Sequence, residues 1–155
     1  MPSEPNTEMD LVKEELIYIL NQVPLNIVLT DGEGEILWCN NTICNFTGYA
    51  REEMIGQNPR ILKSNDNDHK IYPEMWDTIK NKKQIWQGKL KNKKKDGTLY
   101  EEDIQIIPVI RGKGKPKFFI GIQHDITEIE RLRKRESVKQ ALKDTVKQIE
   151  RISNR

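Results

Sequence analysis

The pattern of apolar and polar positions begins with one amphipathic helix. Apolar residues recur at helical spacing over residues 9–23, and Pro24 ends the stripe. Residues 1–8 contain two prolines and no such periodicity, so we expect a disordered tail there. A helix with one apolar face needs a surface to pack on, either in this chain or in a partner.

The next apolar runs, at 25–30 and 36–39, predict a β-hairpin. They flank an Asp31-Gly32 turn, which is typical of such a connection. From 40 to 55 the pattern predicts short helices, the first with Asn40 as its cap and Gly48 at its end. A longer helix follows, with Ile71, Met75 and Ile79 on one face.

Three further strands are predicted after that helix. "QIWQGKLKNKKKDG" alternates in period two and ends in a turn, "TLYEEDIQIIPVI" returns from that turn, and "PKFFIGIQHDIT" follows a glycine-rich connection. Strands joined by hairpins are antiparallel neighbours. We therefore expect an α+β fold, with a five-stranded antiparallel sheet and short helices on one face.

The segment 128–155 differs in composition from the rest. Half of its residues are charged, and it contains no glycine or proline. Apolar and small residues follow heptad spacing at Val138, Leu142, Thr145, Ile149 and Ile152. This predicts an amphipathic coiled-coil helix with a break in register at 133–137, preceded by a cap at Asp125 or Thr127. A single helix folded back on the sheet is the alternative.

Composition and charge narrow the classes of function. The chain is 35% apolar and 32% charged, and its net charge of +2 gives no electrostatic case for nucleic acid or a membrane surface. No run approaches the roughly 18 apolar residues of a membrane span. The N-terminus does not have the pattern of a secretory signal, and Cys39 and Cys44 have neither metal-site nor disulfide-framework spacing. We expect a cytoplasmic protein.

Three motifs in order resemble the PAS sensor family: "TGYAREEMIGQNPRILKS", "WQGKLKNKKKDG" and a closing "DIT". The resemblance covers about residues 10–128. It implies a PAS domain over 24–127, in which a cupped sheet and short helices enclose a small-molecule pocket or a plain apolar core. The region 9–23 would then be a flanking helix.

Within this family the chain is similar to flavin-binding members, both FAD-type redox sensors and cysteine-less LOV-like domains. The position of the photoreactive LOV cysteine is Pro59 here, so adduct photochemistry is not expected. The resemblance implies that Asn92 and Gln123 contact the isoalloxazine, with Asn58 and Arg60 toward the ribityl or phosphate end. Period-two alternation places Gln123 on one face with Phe119 and Gly121.

Several positions depart from the LOV pattern. Lys63 replaces a glutamine, and Glu102 replaces a second asparagine. A buried Glu102 would have a raised pKa and could couple protonation to redox state; the alternative is a carboxylate in solvent. A second phosphate-binding arginine is missing from "DNDHKIYPEMW", which favours FAD over FMN. Trp86 is a candidate for stacking on the cofactor, although a core role is more common for such a residue.

These features lead to one functional hypothesis and its alternatives. We expect a noncatalytic sensory module that binds flavin and reports redox state, oxygen or light to a downstream effector. The signal would pass through a homodimer built from residues 9–23 and 128–152, and the chain could be the sensor part of a histidine kinase. The alternatives are a cofactor-free PAS dimerisation domain, in which Asn58 only caps a turn, and a haem sensor ligated by His69.

Overall fold

The computed structural model describes residues 7–155. The elements follow one another as α1 (Thr7–Gln22), β1 (Asn26–Asp31), β2 (Ile36–Cys39), α2 (Asn41–Thr47), α3 (Arg51–Met54), a 3-10 turn (Pro59–Leu62), α4 (Ile71–Trp76), a π-helical segment (Asp77–Asn81), β3 (Trp86–Lys93), β4 (Leu99–Val109), β5 (Phe118–Asp125) and α5 (Thr127–Ser153). This order confirms the predicted α+β architecture.

The five strands form one antiparallel sheet in the order β2-β1-β5-β4-β3. Strand β5 is central because it pairs with β1 on one side and with β4 on the other. Successive side chains of a strand point to opposite faces, so one face of the sheet carries the core positions. The short helices between β2 and β3 cover that face.

The buried apolar residues form two clusters. One surrounds Ile43 and Met54 beneath α2 and α3, and the other joins Met75 and Ile79 to the inner face of β3, β4 and β5. Asn40 caps α2 as predicted, since its Oδ1 accepts from the backbone N–H of Ile43 at 3.2 Å. Gly48 ends α2 with a φ of 82°, a left-handed conformation that glycine adopts without strain.

The terminal helices start earlier than the sequence predicts. Helix α1 already includes Thr7, so the tail expected over 1–8 overlaps it, and residues 1–6 lie outside the described residues. Helix α5 begins at Thr127 instead of 128. Its N-cap residue is Ile126, which makes no side-chain capping bond, so the predicted cap at Asp125 or Thr127 is wrong, although Asp125 Oδ1 accepts the Thr127 N–H at 3.0 Å. None of the helices in residues 7–155 is long and apolar enough to cross a membrane.

Candidate functional site

A cavity of about 360 Å³ lies between the inner face of the sheet and the helices that cover it. Its volume is within the usual range of small-molecule sites, which starts at about 300 Å³. Apolar walls come from both core clusters and include Val28, Leu62, Met75, Ile79, Leu90, Ile104 and Phe119. Three of its polar side chains, Asn92, Glu102 and Gln123, come from the neighbouring strands β3, β4 and β5 and form a polar end.

The polar end is built on an amide–carboxyl pair from adjacent strands. Asn92 on β3 donates from Nδ2 to Glu102 Oε1 on β4 at 2.7 Å. Glu102 is only 1% exposed, and its Oε2 has no hydrogen-bond partner among the described residues. The structure therefore places Glu102 inside the cavity, and the solvent-facing alternative for this residue is wrong.

The surroundings of Glu102 favour its protonated form. Burial raises the pKa of this carboxyl from its ordinary 4.5 to about 8, the hydrogen bond from Asn92 lowers it, and the nearby Asp125 raises it further. A carboxylic acid has one accepting oxygen and one donating hydroxyl. With Oε1 accepting from Asn92, a proton on Oε2 gives the cavity a hydrogen-bond donor.

Gln123 contributes the third polar group, from the central strand. It is 4% exposed, and its Oε1 has no partner within residues 7–155. Its Nε2 lies 3.9 Å from the position that a Cβ on Gly121 would occupy. Phe119, Gly121 and Gln123 all line the cavity, which confirms the predicted shared face of β5.

Asn58, Arg60 and Lys63 line the cavity around the 3-10 turn, and Lys63 forms an isolated β-bridge with Asn92 of the polar end. Asn58 Oδ1 accepts from the backbone N–H of Arg60 at 3.0 Å and so caps this turn, the structural role that the sequence left open. Arg60 is exposed at the rim. Lys63 places its Nζ 4.1 Å from the centroid of the Tyr72 ring.

Trp86 does not line the cavity. Its ring folds over Gly88, where a Cβ would lie 2.5 Å from the indole. Trp86 is instead buried in the cluster around Met75, the core role that the sequence favoured. His69 is exposed and is not part of the lining, which leaves it without contact to a haem in this cavity.

Two tyrosines near the polar end were missed by the sequence analysis. Tyr72 of α4 lines the cavity and accepts from Asn67 Nδ2 at 2.9 Å. Tyr100 is buried two residues before Glu102, and its hydroxyl has no partner in the described part of the chain. Period-two alternation along β4, which places Tyr100 on the face of Glu102 and Ile104, could have identified it.

The far side of β4 holds the start of α5. Glu101 accepts the Ile126 N–H at 2.9 Å, and the Glu101 N–H donates to Thr127 Oγ1 at 3.0 Å. Lys134 of α5 pairs with the Glu101 carboxylate at 3.2 Å. Glu101, the residue next to the buried Glu102, thus contacts the final helix through its backbone and its side chain.

A protein-family model described as "PAS domain" matches residues 24–128. The chain belongs to the PAS domain family. The match covers all five strands and the cavity, and it ends as α5 begins.

A nitrogen fixation regulatory protein and a blue-light photoreceptor are among its relatives. The chain is 38% identical over 109 residues to a nitrogen fixation regulatory protein of Klebsiella oxytoca, with 70% of this chain and 22% of that protein covered. It is 32% identical over 115 residues to a blue-light photoreceptor of Listeria monocytogenes, covering 72% and 45%. The chain therefore spans about a fifth to under a half of these relatives.

Among solved structures, an RNA-binding light-oxygen-voltage receptor superposes with a TM-score of 0.74 at 21% identity. The superposition covers 94% of this chain and 42% of the receptor. This likeness shows the PAS fold.

Proposed function

We propose that this chain is a noncatalytic PAS sensor that binds a flavin noncovalently and reports its redox state. The observation that carries the proposal is the polar end of a buried cavity, where Glu102 Oε2 and Gln123 Oε1 are buried without partners in the described residues. Buried polar atoms are normally hydrogen-bonded, so these atoms favour a polar ligand.

The donor set fits the edge of an isoalloxazine ring. That edge presents carbonyl acceptors around an N–H donor, and Asn92 and Gln123 each carry an amide that can donate and accept. A protonated Glu102 adds a donor. The apolar walls suit a flat aromatic system, and Gly121 leaves space beside Gln123. A bound flavin would supply the one- and two-electron chemistry that none of these side chains has.

The lining residues around the 3-10 turn favour FAD over FMN. In this proposal Asn58 and Arg60 contact the ribityl or phosphate end, and Arg60 is the single arginine in the lining. Lys63 is engaged with the Tyr72 ring. One arginine gives a weaker clamp for a terminal phosphate than two, whereas the adenine of FAD adds contacts outside the cavity. Pro59 lacks the thiol that adduct chemistry requires.

The signal would pass from the PAS domain to an effector through paired helices. The heptad residues of α5 are exposed in the single chain, among them Leu142 at 62% and Ile149 at 58%. Exposed apolar stripes on α1 and α5 are consistent with a parallel homodimer formed by residues 9–23 and 128–152. Such a dimer would connect the sensor to an effector, for example a histidine kinase, in the cytoplasm.

A cofactor-free dimerisation domain is the second candidate. The same exposed helices favour it, and it requires nothing of the cavity. An absorption spectrum of the purified chain separates the two. We expect the two visible bands of an oxidised flavin, with FAD recovered by chromatography after denaturation. A colourless protein that takes up no added flavin would favour the cofactor-free alternative, and a Soret-dominated spectrum would favour haem.

A further inference from the structure

The buried Glu102 lies within one residue of two contacts that hold helix α5. Glu102 and Asp125 are direct partners in the β4–β5 ladder, so both side chains leave the same face of the sheet. The backbone carbonyl of Glu101, the chain neighbour of Glu102, accepts from the Ile126 N–H, and the Glu101 N–H donates to the Thr127 hydroxyl. The cavity and the start of α5 are therefore adjacent.

Asp125 stabilises the first turn of α5 through its charge and its oxygen. Its Oδ1 accepts from the Thr127 N–H at 3.0 Å and from the Thr127 hydroxyl. A carboxylate at this end also interacts favourably with the helix dipole. Asp125 is exposed, and its charge raises the pKa of Glu102. The carboxylate that accepts from the first residue of α5 is thus the direct ladder partner of the buried Glu102.

We propose that Glu102 is a proton-binding site whose occupancy controls the start of α5. When Glu102 is protonated it is neutral, and Asp125 accepts from Thr127 at the start of α5 without a like charge opposite it. Without its proton, two like charges face each other across one register pair, which is destabilising. The proton itself is then the bound species, and α5 is the element that responds to it.

The hydrogen bonds of Glu102 suit this role. Oε1 accepts from Asn92, while Oε2 faces the cavity and can carry the proton. A carboxylate in this place would be a buried charge with a single donor, which is unfavourable. Burial, with Asp125 adding to it, raises the pKa of Glu102 to about 8. A change in the charge near Glu102 therefore decides whether its proton is bound.

The other titratable groups around Glu102 do not replace it as the proton-binding site. Tyr100 on β4 and Tyr72 on α4 are its phenolic neighbours, and burial raises the pKa of both, so they remain neutral where Glu102 titrates. Lys63 and Arg60 are the cations of the lining. Neither makes a hydrogen bond or ion pair with Glu102 in the described part of the chain.

In a flavin sensor this proton would connect the redox state of the ligand to α5, but the link between Glu102 and α5 does not require a flavin. If a ligand in the cavity gains negative charge, it favours protonated Glu102, and redox state then reaches α5 through this proton. The link between Glu102, Asp125 and α5 is a property of the chain alone. It can be measured with no flavin added.

Nuclear magnetic resonance on the full chain, from about pH 5 to 10, tests it. The ¹³C shift of the Glu102 carboxyl reports its protonation. Hydrogen exchange at the Thr127 and Glu130 amides, corrected for intrinsic rates, reports the first turn of α5. We expect protection of these amides to fall at the same pH at which Glu102 loses its proton. In Glu102→Gln, protection should not change over this range.

Asp125→Asn provides the reciprocal test, because it keeps an oxygen that can accept from Thr127 and removes the charge. We expect it to lower the Glu102 midpoint and to make α5 protection insensitive to Glu102. Coupling is reciprocal, so each unit of midpoint shift corresponds to about tenfold in protection. The control is Asp103→Asn, the neighbouring outward position on β4, which should behave as wild type.

Two outcomes overturn the inference. One is a Glu102 midpoint near that of ordinary carboxyl groups. The other is the same pH dependence of α5 protection in wild type and Glu102→Gln. If Glu102→Gln does not fold, an Asp125→Asn protein with an unshifted Glu102 midpoint overturns it as well. Failure to bind flavin would overturn the proposed function and leave this result unchanged.

Discussion

Asn92 donates a 2.7 Å hydrogen bond to Glu102, joining strands β3 and β4 at the polar end of the cavity. The resemblance to LOV domains implies two asparagines at these positions. Here one amide is replaced by an acid whose pKa is raised to about 8, chiefly by burial. The site thereby gains a group that exchanges protons near neutral pH.

The first prediction concerns stability against pH. The folded state binds the Glu102 proton more tightly than the unfolded chain, so this contribution is fully present below about pH 4.5 and is lost as the pH rises through about 8. Relative to Glu102→Gln, the wild type should lose up to about 1.4 kcal/mol of unfolding free energy per pH unit within that window. Urea denaturation at a series of pH values measures the difference. Parallel curves for the two proteins would show that Glu102 titrates normally.

The second prediction concerns Asn92. Replacing it with alanine removes the donor to Glu102, and the pKa of Glu102 should rise further because that hydrogen bond lowers it. If flavin binds as proposed, its affinity should fall about fivefold, since one neutral hydrogen bond contributes about 1 kcal/mol. Isothermal titration with FAD measures the affinity. Lys91→Ala, an exposed neighbour on the same strand, is the matched control, and an equal loss in both would contradict the assignment.

The third prediction separates affinity from redox response at Gln123. Gln123→Leu keeps the size of a buried side chain but removes the amide that lies beside Gly121. We expect a change in the reduction potential of bound flavin with a smaller change in affinity. His124→Leu, which alters the exposed face of the same strand, should change neither. An unchanged potential in Gln123→Leu would place the amide away from the redox-active part of the ring.

The fourth prediction concerns the dimer. Leu142 is exposed in the single chain, so Leu142→Glu should not disturb the PAS fold but should break the apolar seam of paired α5 helices. Analytical ultracentrifugation should show a shift toward monomer. Gln140→Glu introduces the same charge outside the seam and serves as the control. If Leu142→Glu stays as dimeric as wild type, the dimer depends on another surface.

Local chemistry explains why most of the fold could be predicted from the sequence. The Asn40 cap, the Gly48 terminus and the alternation along β5 each depend on neighbours within a few residues, and all three are confirmed. The membership of the PAS family follows from motifs that are continuous in the chain.

The sequence could not decide the features that depend on contacts between distant segments. An acidic side chain is rarely fully buried, so the sequence left open whether Glu102 is a buried carboxyl or a carboxylate in solvent. Trp86 shares the face of Leu90 and Asn92, but its ring turns over Gly88. This is a choice of side-chain rotamer, which hydrophobic periodicity cannot predict. The contacts of Glu101 with α5 join residues 26 and 33 positions apart.

The most direct test of the central claim is a titration of the flavin-free chain with FAD, followed by quenching of flavin fluorescence. We predict saturable binding at one site per chain, weakened in Asn92→Ala and unchanged in Lys91→Ala. Saturable binding that both variants retain equally would place the flavin outside this cavity. No binding of FAD or FMN by a folded chain would contradict the account of this protein as a flavin sensor.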